Sequence, residues 1–463
     1  MYLKMALGNI KRNALDYLVY FITLCIAVCL LYSFTASADY LASLDLTADQ
    51  RAVYARIGDA LRAFSVLVVI VFACLVAYAN QFIIRRRKRE LGTYALLGMS
   101  SAQTSGILAI ETFIMCAVAF ATGIACGIAL SPAFSAVAAY AFGVAWRPSW
   151  TLSGDAVAWS AECFIALAAF SVLTAARSAS RQTLAEQMNA RQEYVSRKQM
   201  TPAKRTTCFL AAAVLLAITW YACSAMPAMF VTLLLPMGLL ALSGTFFLVK
   251  PGAPLLSNVL RHLDKWHLRG IRPLAVRLNE LAISKAALPL SCACVMVAAA
   301  TCMICAGLSF GVGMRADPAN ATAAIALAPI GYVGILYGAT FIVASFAVAA
   351  LHQVAFFVDM QEDLVASHLI GADPADLRRL VLVQTGGGFV TIMAIAAIHD
   401  VFGLGLVRFL SDAIGSSGFA SFVVLTIAAT TIIGLAYYAL TCGACLKLLR
   451  KRLRRPTNTP AAT

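Results

Sequence analysis

Ten stretches of the chain are apolar for long enough to cross a bilayer: 17–37, 62–84, 106–130, 156–176, 206–224, 228–249, 287–311, 326–352, 380–402 and 420–445. About 20 apolar residues in a helix span the hydrocarbon. Lipid offers the backbone no hydrogen-bond partner, so each stretch is expected to be a helix. The runs are too long, and too little alternating, for the strands of a membrane barrel. The pattern therefore predicts an all-α integral membrane protein of about ten transmembrane helices. Residues 1–16 differ: Leu3, Ala6, Leu7 and Ile10 share one helical face and Lys4 and Lys11 another, the pattern of a helix lying in the interface. Ala36, Ser37 and Ala38 resemble a signal-peptidase site, but the apolar run before them is longer than a signal h-region, and 17–37 reads as a retained span.

Composition sharpens this picture. Hydrophobic residues make up 61% of the 463 positions and charged ones 12%, far from the near-half and one-quarter of a water-soluble domain. A net charge of +15 raises the question of nucleic acid, and its placement answers it. Of the 36 Lys and Arg, 30 fall in alternate segments, namely 1–16, 85–105, 177–205, 250–286, 353–379 and 446–463. This is the positive-inside distribution, and it puts both termini in the cytoplasm. The 14 cysteines lie mostly within apolar runs. Cys302 and Cys305, and Cys442 and Cys445, have C-x-x-C spacing without neighbouring histidines, so they read as small packing residues rather than metal or redox centres.

A shift of 273 residues aligns two segments without gaps. Glu90 and Leu91 fall on Asp363 and Leu364, Leu96, Leu97 and Gly98 on Leu369, Ile370 and Gly371, and Glu111 on Gln384. The chain then divides into two pseudo-repeated four-span halves, 1–176 and 270–463, with a linker and a central two-span hairpin over 177–269.

The first of these segments, with Arg89, Glu90, Leu91 and Gly92 followed by Ala95 to Ser100, resembles the signature of the FtsX-like permease family, which includes MacB-type transporters. Ten spans and the second segment, Gln361 to Leu364 with Leu369 to Gly371, are similar to the bacitracin-resistance, BceB-type branch. The resemblance implies the membrane subunit of a bacterial ABC transporter, in the plasma membrane, whose ATPase is a separate subunit present in two copies. ATP and magnesium would then be held by that partner, and a second permease is compatible with the arrangement. In agreement, the sequence contains no G-x-x-x-x-G-K-[ST] phosphate loop. The family's substrates include antimicrobial peptides and lipid-linked molecules. One departure is large: BceB-type permeases carry an extracytoplasmic domain between the seventh and eighth spans, where this chain has about 14 residues, 312–325.

Candidate functional residues follow. Leu91, Tyr94, Ala95 and Gly98 share a helical face and are expected to enter a groove on the ATPase, with Leu97 beside them and Arg89 and Glu90 meeting charged partner residues. Through the repeat, Glu362, Asp363, Ile370 and Gly371 form a second coupling segment, followed by a helix start at Asp373 and Pro374. Glu111, Glu162 and Gln384 are polar positions in or near spans. Glu111 reads as an interfacial residue, paired or capped, and Glu162 as the residue a proton-coupled secondary transporter would use. Pro329 and Gly331 are a candidate hinge, and Gly386, Gly387 and Gly388 a close helix contact. A non-transporting membrane scaffold is a third class the sequence leaves open.

Overall fold

The computed structural model describes residues 2–12, 14–42, 69–70, 73, 88–142, 146, 153–180, 201–262, 272–314 and 321–453. Almost all of these are helical, and no strand occurs among them. Chain order gives α1 (Tyr2–Arg12), α2 (Ala14–Ala42), α3 (Lys88–Leu96), α4 (Ser101–Phe142), α5 (Gly154–Ser180), α6 (Pro202–Ala225) and α7 (Phe230–His262). Then follow α8 (Arg272–Lys285), α9 (Ala287–Leu308), α10 (Ala321–Leu369), α11 (Pro374–Ala413) and α12 (Phe419–Leu453).

Eight of these helices, α4 to α7 and α9 to α12, are long and apolar enough to cross a membrane. The first expected span lies within α2, where Tyr20–Ser33 is apolar. The second, 62–84, falls outside the described residues except for 69–70 and 73. Helix starts carry their local signals. Ser100 and Gln103 form a capping box ahead of α4: Ser100 Oγ accepts from Gln103 N at 3.3 Å and Gln103 Oε1 from Ser100 N at 2.9 Å. Asp373 caps α11, accepting from Ala375 N at 2.9 Å, with Pro374 in the first turn.

Helix α9 is the most enclosed of the described spans, with 67% of its apolar window buried. It packs against α7, α10, α11 and α12. Small residues allow these approaches, as they do where lipid removes the hydrophobic incentive for helices to meet. A side chain on Gly307 would collide with the Gly331 carbonyl of α10, and one on Gly338 would lie 2.8 Å from the Ala300 carbonyl. Between α2 and α4 the same device recurs: Cβ atoms on Gly123 and Gly127 would come within 2.6 Å of Val28 and 2.8 Å of Tyr32. Gly331 is thus fixed by close approach to α9, which is a packing reason for the glycine independent of any hinge. Helix α10 runs unbroken through Pro329. Beyond α9 the chain widens into a π turn, Ser309–Gly313, where Ser416 Oγ donates to the Ser309 carbonyl at 2.9 Å.

A second core lies at the other end of the long helices. Ala275 and Ala282 of α8, Phe356, Phe357, Met360 and Leu364 of α10, Leu377, Leu380 and Val381 of α11, and Cys445 and Leu449 of α12 pack together there. The 49 residues of α10 measure about 73 Å at 1.5 Å per residue, more than twice the roughly 30 Å of hydrocarbon. This core, the foot of the bundle, holds the α10–α11 turn. The thirteen described cysteines are free thiols.

Replacing Gly307 by Leu is expected to destabilise the α9–α10 contact by about 1–3 kcal/mol, the usual cost of overpacking. Gly334→Ala, whose Cβ meets its nearest neighbour at 3.4 Å, is expected to be tolerated. Thermal melting of the detergent-solubilised protein compares the two.

Candidate functional site

The two segments related by 273 residues fold into the same turn. After α3, Leu97 N donates to Thr93 O and Met99 N to Tyr94 O, both at 3.0 Å. After α10, Ile370 N donates to Ala366 O at 3.1 Å and Ala372 N to Ser367 O at 3.0 Å. These two bonds of one turn are the other's displaced by 273 positions, and the second turn adds Gly371 N donating to His368 O at 3.0 Å. Each turn reverses through a left-handed glycine, Gly98 at φ +88° and Gly371 at φ +114°. This is the helix-ending conformation that a Cβ disfavours. The helices that follow, α4 and α11, begin 273 residues apart.

The turns are anchored alike. Leu91 packs on Leu108 with Tyr94 beside them. Their counterparts, Leu364 and Val381, lie in the foot core. With those leucines turned inward, the last residues before each glycine turn outward: Leu96 is 60% exposed and Leu97 77%, Leu369 68% and Ile370 88%. Each turn thus presents two bare aliphatic side chains from a capped, rigid reversal, a small apolar knob suited to an apolar socket.

Behind each knob sits a buried polar side chain, thirteen residues after the glycine. Glu111 is fully buried. Its Oε1 accepts from Asn9 Nδ2 at 2.8 Å and its Oε2 from Tyr17 OH at 2.5 Å. Tyr94 OH donates to Asn9 Oδ1 at 3.2 Å, and Arg12 pairs with Glu90 at 3.1 Å. Gln384, buried as deeply, donates from Nε2 to Gln353 Oε1 at 2.9 Å.

Several expectations change. Leu91 of the shared face is buried, with Tyr94 packed beside it, and with Leu91 held against α4 the helix end turns Leu96 and Leu97 outward. Glu111 is a buried node between helices, paired with Asn9 and Tyr17. Glu162 lies on an exposed face of α5, away from the interior that a proton relay requires. Glu362 and Asp363 are exposed on α10, and Arg89 lies in the first turn of α3. The triple glycine behaves as expected: side chains on Gly387 and Gly388 would collide with Asn279 and Gln353. His399 is packed, with Nε2 2.8 Å from Thr245 Oγ1. Sequence reasoning missed Asn9, Tyr17, Asn279 and Gln353. Asn9 had a signal, a polar residue three positions after Ala6 on the apolar side of α1.

The chain is thus a multi-pass helical membrane protein with paired, aliphatic-tipped turns. Residues 62–184, which contain the first turn and the Glu111 node, match the FtsX-like permease C-terminal family, so the chain carries an FtsX-like permease region. It is similar to the bacitracin export permease BceB of Bacillus subtilis, 28% identical over 128 residues, covering 28% of this chain and 19% of the relative. BceB of Halalkalibacterium halodurans is 29% identical over 125 residues, 27% of this chain and 18% of that protein. The similarity therefore spans about a fifth of the length of these curated relatives, consistent with the BceB-type branch.

Gly98→Ala and Gly371→Ala are each expected to strain their turn by about 1 kcal/mol, the cost of a Cβ in left-handed backbone. About fivefold faster amide hydrogen exchange at Met99 and Ala372, respectively, is the expected reading.

Proposed function

We propose that the protein is the permease subunit of a bacterial ABC transporter, driven by a separate ATPase that binds at the two turns. The observation that carries this reading is the residue-by-residue match of the turns, each ending in an exposed aliphatic pair, one of them within the FtsX-like region. Two like knobs suit two copies of one partner, and two ATPase copies are what ATP-driven closure requires. The partner would hold ATP and magnesium. Nucleotide-driven approach of the ATPases would draw Leu96–Gly98 and Leu369–Gly371 together and rock the halves 1–176 and 270–463 about the 177–269 hairpin. Glu90, Glu362 and Asp363, beside the knobs, would set the charge complementarity of the contact, with Arg89 completing the first segment. The positive-inside distribution of the basic segments supports a cytoplasmic side for both turns and both termini.

The relatives' printed activity is bacitracin export, and an amphipathic substrate of that kind, an antimicrobial peptide or lipid-linked molecule, fits a permease whose spans are joined by short outer connections. With only residues 312–325 between the seventh and eighth predicted spans, substrate recognition falls to the membrane-embedded helices or to a second permease.

Leu97→Asp and Ile370→Asp test the reading. An aspartate buried in an apolar socket costs about 2 kcal/mol or more, the scale of an interface hot spot, so each is expected to weaken ATPase association about thirtyfold. Pull-down of the tagged protein in mild detergent, with ATPase activity measured on the eluate, reads the loss. Undiminished co-purification of the doubly substituted protein contradicts the proposal.

A further inference from the structure

Helix α1 has the composition of a lipid anchor, yet its mounting is that of a strut. Leu3 and Leu7 face outward, while Ala6 and Asn9 are buried against α4. Asn9 sits at the centre of a chain of side chains. Its Oδ1 accepts from Tyr94 of α3, and its Nδ2 donates to Oε1 of Glu111 on α4. The other carboxylate oxygen accepts from Tyr17 of α2. Four helices thus meet through one amide and one carboxylate, and the Arg12–Glu90 pair ties α1 to α3 a second time. Hydrogen bonds to a buried carboxylate are short, directional and strong, so α1 is held in register by a polar joint as well as by lipid.

The other half repeats the placement. Asn279 of α8 donates to the Val383 carbonyl at 3.4 Å. A side chain on Gly387 would strike its amide. An asparagine on a short helix therefore meets the turn of α11 around Gln384, as Asn9 meets the turn of α4 around Glu111. Only the first joint carries a carboxylate.

We infer that Asn9 and Glu111 are positioning residues that carry movement of the Leu96–Gly98 turn to α2 and α4. The inference rests on the permease reading, since it assigns the path by which a docked ATPase would move the spans. Tyr94, on the helix that ends in the turn, pulls on Asn9. Asn9 is bonded to α4 through Glu111, and the same carboxylate grips α2 through Tyr17. A displacement of the turn then moves the first span and α4 as one body. Without the joint, α3 keeps its knob but loses this connection.

A charge exchange isolates the joint. Asn9→Asp places a second carboxylate oxygen against Glu111 Oε1, where the amide donor stood. In the Asn9→Asp/Glu111→Gln double exchange, the new amide at 111 donates back to position 9 and still accepts from Tyr17, while Tyr94 still donates to position 9. The full-length protein is purified with its ATPase in lipid nanodiscs. Three quantities are read: ATPase bound per permease, the melting temperature of the complex, and ATP turnover.

Asn9→Asp is expected to leave the bound ATPase unchanged and to lower the melting temperature, since two buried carboxylates then face each other, a loss the double exchange is expected to reverse. Its turnover is expected to fall about tenfold, within the roughly 5- to 150-fold range of coupling between sites. The double exchange is expected to restore it to within about twofold of the parent, a small residue of that coupling. Unchanged turnover in Asn9→Asp, loss of the bound ATPase, or failure of the exchange to restore turnover overturns the inference and leaves docking at the turns intact. Absence of any ATPase from the unsubstituted complex overturns the permease reading, and this inference with it.

Discussion

Apolar helices gain little from meeting one another in lipid, because hydrocarbon is as good a neighbour as leucine. What fixes such a bundle is close backbone contact through small residues and a few polar side chains that must find partners. Both are concentrated here. Gly307 against Gly331, and Gly123 and Gly127 against Val28 and Tyr32, set the α9–α10 and α2–α4 crossings. Glu111 and Gln384, one behind each turn, are the polar pins. Moving any of these would leave a polar group unmatched or an atom overlapped, so the spans have few alternative registers.

That constraint explains how exposed turns are held without being buried. Leu91 and Leu364 lock the preceding helix, a left-handed glycine reverses the chain, and a capping residue starts the next helix. The outward aliphatic pair is the by-product of this lock: with the inner leucine fixed, the helix end rotates its last residues away from the protein. In the second half the lock is reinforced by a four-helix foot. In the first half the short α1 takes part, through Asn9. The two halves thus support the same turn with different materials.

Much of the fold was legible in the sequence, because span length and charge bias are imposed by the bilayer and need no tertiary information. Nine of the ten expected spans lie on described helices. The repeat was legible too, since Gly98, Gly371 and the polar residue thirteen positions on are required by backbone geometry and burial. The orientation of individual side chains was not. Leu91 and Leu97 look equally apolar in the sequence, and only the packing of α3 on α4 decides which faces inward. The partners of Glu111 were not legible, because Asn9 and Tyr17 lie roughly a hundred residues away on other helices.

The central claim is that both turns dock the same ATP-hydrolysing partner, and site-specific photocrosslinking in intact membranes addresses it most directly. A photoreactive residue is placed at Leu97 and, separately, at Ile370 of the full-length protein. Crosslinked products are then identified by mass spectrometry. The expected result is one ATPase captured from both positions, with yield that changes on adding ATP. Capture of lipid alone from both positions, or of an ATPase from neither, contradicts the account.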